Sequence, residues 1–130
     1  MTTVTGLRSA IIQTNAYEQA VKFYSNTWGL DQVPGGDVVQ TFLRGTGADN
    51  YIFSVCRGDA VGLSRIALAL PNREAVDNIT GSLKSSGVII KSPPKELTTP
   101  GGGYGVTILD PDGREIELSA NVARLEPIQN

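Results

Sequence analysis

Apolar and polar positions along this chain spell one order of elements twice. Leu7–Thr14 is a short apolar run centred on Ala10, Ile11 and Ile12, the pattern of a buried strand. Tyr17, Ala20, Val21, Tyr24 and Trp28 then recur at helical spacing, which predicts an amphipathic helix. Asn15 is its expected cap, Glu18 the capping-box partner and Gly29 the stop. Val38–Leu43 and Tyr51–Arg57 read as strands, with turns at Gly35-Gly36 and over residues 45–50. The second half repeats the order. Leu63–Leu70 is an apolar strand, Asn72 a helix cap, and Ala75, Val76, Ile79 and Leu83 one helical face that ends near Gly87. Val88–Ile90 is a short strand broken at Pro93-Pro94, followed by strands Tyr104–Leu109 and Glu115–Ser119 around an Asp112-Gly113 hairpin turn.

The halves superimpose at one fixed shift: Leu7 on Leu63, Ala10 on Ile66, Ile12 on Leu68, Ala20 on Val76 and Phe23 on Ile79. A repeat of about 56 residues in only two copies does not make a solenoid. It fits two βαβββ modules, about residues 5–58 and 61–120, that form one curved mixed sheet around a cleft. The expected class is therefore α+β, with a single domain over residues 1–122 and a tail or linker over 123–130.

Composition narrows the function by exclusion. The chain has 130 residues, enough for one core of ordinary size, and its 40% hydrophobic and 18% charged residues are those of a globular protein rich in turns. Its net charge is −2 and its 11 basic residues are scattered, so neither nucleic acid nor an anionic membrane surface is an expected partner. No signal-peptide pattern opens the sequence and no apolar run approaches a bilayer's thickness, which makes the cytoplasm the expected location. Cys56 is the only cysteine, set in a strand-like run where it reads as an apolar filler.

The chemistry concentrates in Gly101–Leu118, which runs G-G-G-Y-G-V-T-I-L-D-P-D-G-R-E-I-E-L. A hairpin of this kind can present Glu117 to a cavity. Imidazoles would ordinarily complete a metal site there, and the chain contains no histidine. The Gly101–Gly103 run has neither the following helix nor the lysine of a phosphate loop, so it reads as a turn.

Two segments, Ala16–Leu30 (A-Y-E-Q-A-V-K-F-Y-S-N-T-W-G-L) and Ile108–Leu118 (I-L-D-P-D-G-R-E-I-E-L), resemble the vicinal oxygen chelate superfamily. That superfamily includes glyoxalase I, bleomycin and fosfomycin resistance proteins, and extradiol dioxygenases. With the repeat, the resemblance covers nearly the whole chain. It implies a divalent metal held from four equivalent strand positions, two in each module. Carried onto this sequence they fall at Ser9, near Phe53, at Arg65 and at Glu117, and only Glu117 is a good ligand. Catalytic zinc normally takes three protein ligands, and oxygenase iron takes two histidines and a carboxylate. A guanidinium at Arg65 adds repulsion. No metal and no cofactor is expected.

The chain is most similar to the metal-free N-terminal domain of two-domain extradiol dioxygenases. The resemblance implies a module that is non-catalytic alone and that supports a catalytic domain or binds a small aromatic or anionic ligand. Arg65 and Glu117 are candidates to clamp such a ligand, with Ser9, Phe53 and Tyr104 as further lining. Two alternatives stay open. One is a stand-alone resistance-type binding protein, and the other a metal-independent lyase or isomerase with Glu117 as general base. A homodimer, or a fused or separate partner domain, is expected to complete the half-open cleft.

Overall fold

The middle of the molecule is an antiparallel pair formed by the first strand of each half, β1 (Gly6–Thr14) and β5 (Gly62–Ala69). In this computed structural model, which describes residues 4–127, eight strands form one curved sheet in the order β2-β3-β4-β1-β5-β8-β7-β6. β2 (Asp31–Val33), β3 (Gln40–Arg44) and β4 (Phe53–Arg57) complete the first half; β6 (Ile90–Glu96), β7 (Tyr104–Leu109) and β8 (Glu115–Ala120) complete the second. The order reads the same from either edge. Each half pairs its first and last strands in parallel and the rest antiparallel. In the central pair Ala10 faces Ile66, Ser9 faces Ala67 and Ile11 faces Arg65. That register is the one a local two-fold axis through Ala10 and Ile66 requires, so the two expected βαβββ modules are present.

One helix covers each half on the same face of the sheet. Under α2 (Arg73–Ser85), Val76, Val106, Leu118 and Ala120 are buried together with Leu70 and Ile108. Ala75, Ile79 and Leu83 pack onto them, which is the face the spacing predicted. Asn72 caps this helix, its side chain accepting from the Ala75 amide at 2.8 Å. Under α1 (Tyr17–Lys22), Tyr17, Leu43 and Val55 form a second cluster, joined by Ala20, Val21, Tyr24 and Phe53.

The first helix departs from its expectation at both ends. Asn15 does not cap it; Ala16 stands at the cap, and the side chain of Thr14 takes the Ala16 amide at 3.0 Å. Glu18 turns instead to Arg57, at 2.6 Å. After Lys22 the backbone widens into a π-helical turn over Phe23–Thr27, with Trp28 N donating to the Phe23 carbonyl at 3.2 Å. The extra residue in that turn rotates the chain beyond it away from the sheet. Trp28, expected inside, is 62% exposed and rests edge-on against Tyr24.

Two strand boundaries also differ. β2 has no apolar alternation and went unforeseen. β6 does not break at Pro93-Pro94 but runs through them, because it lies at the sheet's edge and its pairing with β7 shifts register on either side of Ser92. Proline removes a ladder donor, and an edge strand with bulges has donors to spare.

The segment read as a tail or linker is tied down as far as Glu126; residues 128–130 lie outside the described residues. Ala123 N donates to the Gly101 carbonyl, Leu125 N to the Ala48 carbonyl, and the Arg44 guanidinium to the Glu126 carbonyl. The strap explains the glycine run. A Cβ on Gly103, whose φ is 103°, would meet the Ala120 carbonyl and Val122 at 2.8 Å, and one on Gly101 would meet Val122 at 2.7 Å. Among the described residues no helix is long and apolar enough to cross a membrane.

The same substitution should therefore act with opposite sign at two glycines. Gly81→Ala, inside α2 with open space around it, is expected to stabilise the chain by about 0.5–1 kcal/mol. Gly103→Ala is expected to destabilise it by about 1–3 kcal/mol, through both backbone conformation and the collision with the strap. Urea midpoints of the two variants check the pair.

Candidate functional site

The uncovered, concave face of the sheet is lined by alternate residues of the central strands. The register identifies which ones are equivalent. In the first module Ile11 pairs with Ser54, and in the second Ala67, its two-fold mate, pairs with Glu117. The first-module counterpart of Glu117 is therefore Ser54, one residue beyond Phe53. A one-residue step in a strand reverses the side chain's face. Phe53 accordingly points to the helix layer, its ring 4.7 Å from that of Tyr24, and is not brought to the concave face. Tyr104 lies on the helix side as well. Its hydroxyl donates to Asp77 of α2 at 2.6 Å and the Arg73 guanidinium sits 3.9 Å over its ring.

The equivalent positions on the concave face are thus Ser9, Ser54, Arg65 and Glu117. Ser9 is buried, and among the described residues its Oγ has no partner at ordinary hydrogen-bond geometry, although it lies close enough to the Tyr51 phenol to act on it. Ser54, fully buried, donates to the Thr41 carbonyl and accepts from Gln40, both at 2.9 Å. Arg65 and Glu117 share one cleft, as the sequence suggested, but they are not each other's first partner. Arg65 places Nη2 and Nε at 2.7 and 3.2 Å from one oxygen of Glu115, and Lys91 reaches the other oxygen at 2.5 Å. Glu117 stands farther off, its oxygen 3.8 Å from Arg65 Nη1. Glu115 was not singled out in the sequence, although it sits two residues before Glu117 on the same strand face, which is the signal that could have found it.

These placements set the protonation of the site. Burial pushes the Glu117 carboxyl up, against the pull of Arg65, Ser119 and Arg8. Burial acts on Glu115 too, but bonds from Lys91 and Arg65 outweigh it and hold that carboxyl below its usual range. Burial and the nearby Glu117 charge push the Tyr51 phenol up, while Thr99, Ser9 and Arg65 pull it down. Tyr51 thus belongs to the surroundings of the site, stacked edge-on against Phe42 with ring centres 4.9 Å apart.

The two halves differ in what fills the concave face. Phe42 pairs with Ser54 and Thr107 pairs with Glu117, so Phe42 and Thr107 occupy equivalent positions. In the first half that position carries a buried ring; in the second, a small side chain borders an open cleft of about 200 Å³.

Comparison with solved structures accounts for the architecture. The chain is similar over its whole length to the Mn(II)-bound glyoxalase from Novosphingobium aromaticivorans, with 31% identity and a TM-score of 0.92, covering 43% of that protein. It is also similar to a 2,3-dioxygenase from Pseudomonas sp. KL28, at 20% identity and a TM-score of 0.84 over 46% of that chain. Homoprotocatechuate 2,3-dioxygenase from Brevibacterium fuscum gives 19% identity and a TM-score of 0.85 over 39% of its chain. The chain therefore spans less than half the length of these proteins, and it has the vicinal oxygen chelate fold. No family model and no curated protein matches the sequence. The residues at the equivalent positions do not fit the divalent metal that the fold implies. Two hydroxyls, a guanidinium and one carboxylate offer a single anionic donor beside a fixed positive charge. Among the described residues no group of three or more cysteine, aspartate or glutamate side chains is placed to hold an ion.

The shift on Glu117 has a definite sign in stability. The folded chain holds this proton more tightly than the unfolded chain, whose carboxyl titrates near 4.5, so stability falls as pH rises from there through the raised folded value. Glu115 acts in the opposite sense: its contribution is present above 4.5 and is lost as pH falls through its lowered value. Glu117→Gln should therefore gain stability relative to the parent at pH 7 but not at pH 4, as read from urea midpoints across that range. Parallel profiles for the two proteins would show that Glu117 is not desolvated.

Proposed function

We propose that this chain is a non-catalytic module of the vicinal oxygen chelate type, which supports a catalytic module of the same fold. One observation carries the reading. The four positions that would surround a metal hold Ser9, Ser54, Arg65 and Glu117, and Arg65 is engaged with Glu115 and close to Glu117. A cation entering there would have to displace a guanidinium from a partly buried ion-pair network. Moving Arg65 aside would leave Glu115 with Lys91 alone and Glu117 without its nearest cation, a cost that solvent screens only in part. The reading is supported by size: a likeness to less than half of the glyoxalase and dioxygenase chains fits one component of a larger arrangement. A fused or separate partner module, or a second copy of this chain, would complete it.

One observation favours a second reading. A buried carboxyl with a raised affinity for its proton, facing a cleft, is the form a general base takes when it works without a metal. In that case Glu117 would serve a lyase or isomerase, with Arg65 stabilising developing negative charge. Resistance-type capture of a cationic drug is disfavoured, since the cleft presents Arg65, Lys91 and Lys95.

Elemental analysis tests the first reading. After equilibration with Mn²⁺, Fe²⁺ and Zn²⁺ under anaerobic conditions, the chain is expected to retain no stoichiometric metal and to turn over neither catechols nor thiol conjugates. The double variant Ser9→His/Arg65→His, which with Glu117 restores two imidazoles and a carboxylate, is expected to retain one ion per chain. Stoichiometric metal in the parent chain would refute the non-catalytic reading. Turnover without metal that is lost in Glu117→Gln would establish the second.

A further inference from the structure

We propose that the cleft between β5, β8, β7 and the edge strand β6 is a binding site for a small anion, a carboxylate or phosphate group, held by Lys95, which is unpaired among the described residues, together with Lys91 and Arg65. The inference rests on the reading that Arg65 has taken over a metal position, and it names the ligand class that this exchange admits.

Charge is the first argument. Arg65, Lys91, Lys95 and Glu117 all line the cleft, and Glu115 lies just behind its wall. Glu115 is shared, one oxygen taken by Arg65 and the other by Lys91. Both of its oxygens are thus occupied, and a single negative charge serves two cations. Lys95 makes no ion pair among the described residues. Three cations against Glu115 and Glu117 leave the cleft positive even with both carboxylates ionised. The chain as a whole is at −2, so this is a local reversal of sign. Local fields of this kind draw in ligands of opposite charge.

Preorganisation is the second. Pro93-Pro94 stands between Lys91 and Lys95 and fixes the backbone that carries both. The irregular pairing of β6 with β7 on either side of Ser92 accompanies the placing of both lysines on the cleft. A rigid arm loses less freedom when its side chains close on a ligand.

The lining is the third. Besides the charges, Thr99 and Thr107 present hydroxyls, and Gly105 keeps the floor low: a Cβ there would meet Ser119 at 3.0 Å. None of the residues that line the cleft is aromatic: Tyr24, Phe53 and Tyr104 belong to the helix layer, and Tyr51 stands beside the cleft with its ring packed on Phe42. A stacked aromatic guest therefore has no platform. A cavity of about 200 Å³ suits a small acid. Burial favours the protonated form of Glu117, which could donate a hydrogen bond to an incoming carboxylate or phosphate oxygen.

The test is a titration of the ¹⁵N-labelled chain, at constant ionic strength, with inorganic phosphate, with succinate and with choline as a cationic control. Saturable shifts of the Gly105 and Thr107 amides with at least one anion, and none with choline, are expected. The anion that saturates at the lower concentration identifies the head group. Lys95→Gln should weaken that binding about tenfold, the loss of one charge-assisted bond, and Lys95→Glu should abolish it. No saturable response to either anion, an equal response in Lys95→Gln, or saturation by choline would overturn the assignment. Metal content measured on the same samples keeps the two proposals apart. Retained metal would refute the non-catalytic reading, whereas an absent anion response with no metal would refute this inference alone.

Discussion

The pairing of Ala10 with Ile66 is the constraint on which the rest of this molecule depends. Two strands of opposite direction meet there in a register that maps each half onto the other, and every later strand is added outward from that seam. Slipping one strand of the pair by one residue would turn its side chains over, sending Ser9 or Arg65 to the helix layer and Ala10 or Ile66 to the concave face. The cluster over that strand would then lose part of its floor, because Ile12 packs beneath α1 and Leu68 beneath α2. Burial on one face thus fixes the chemistry of the other.

Much of this was legible in the sequence because it rests on period and punctuation. The apolar face of α2, the cap at Asn72, the strand Tyr104–Leu109 and the repeat itself all express local preferences that tertiary packing leaves intact. What escaped has physical reasons. The π-helical turn after Lys22 leaves no mark on a pattern read at regular helical spacing, so Trp28 was expected inside. Pro93-Pro94 looked like a break because an edge position cannot be known before the strand order. Phe53 was placed on the concave face by a count that ended one residue short. In a strand that is the difference between the cleft and the core.

The site was legible in type and less so in detail. The absence of histidine and the survival of Glu117 could be read directly, and Arg65 does share a cleft with that carboxyl. Glu115 was the missing partner. It draws Arg65 and Lys91 together, and in doing so leaves Glu117 with a proton affinity set by burial more than by its neighbours. A guanidinium at this position is held chiefly by one carboxylate, Glu115, whereas a divalent ion would need several anionic donors around it. Burial then raises the proton affinity of the remaining acid, against the pull of Arg65, Ser119 and Arg8.

Duplication would ordinarily give a tandem chain two equal chambers, and here it does not. With a phenylalanine at residue 42 and a threonine at residue 107, one half buries an aromatic ring where the other borders an open cleft. At this position the two halves share a backbone but not a surface, and the repeat persists in the strands while the side chains on it have diverged.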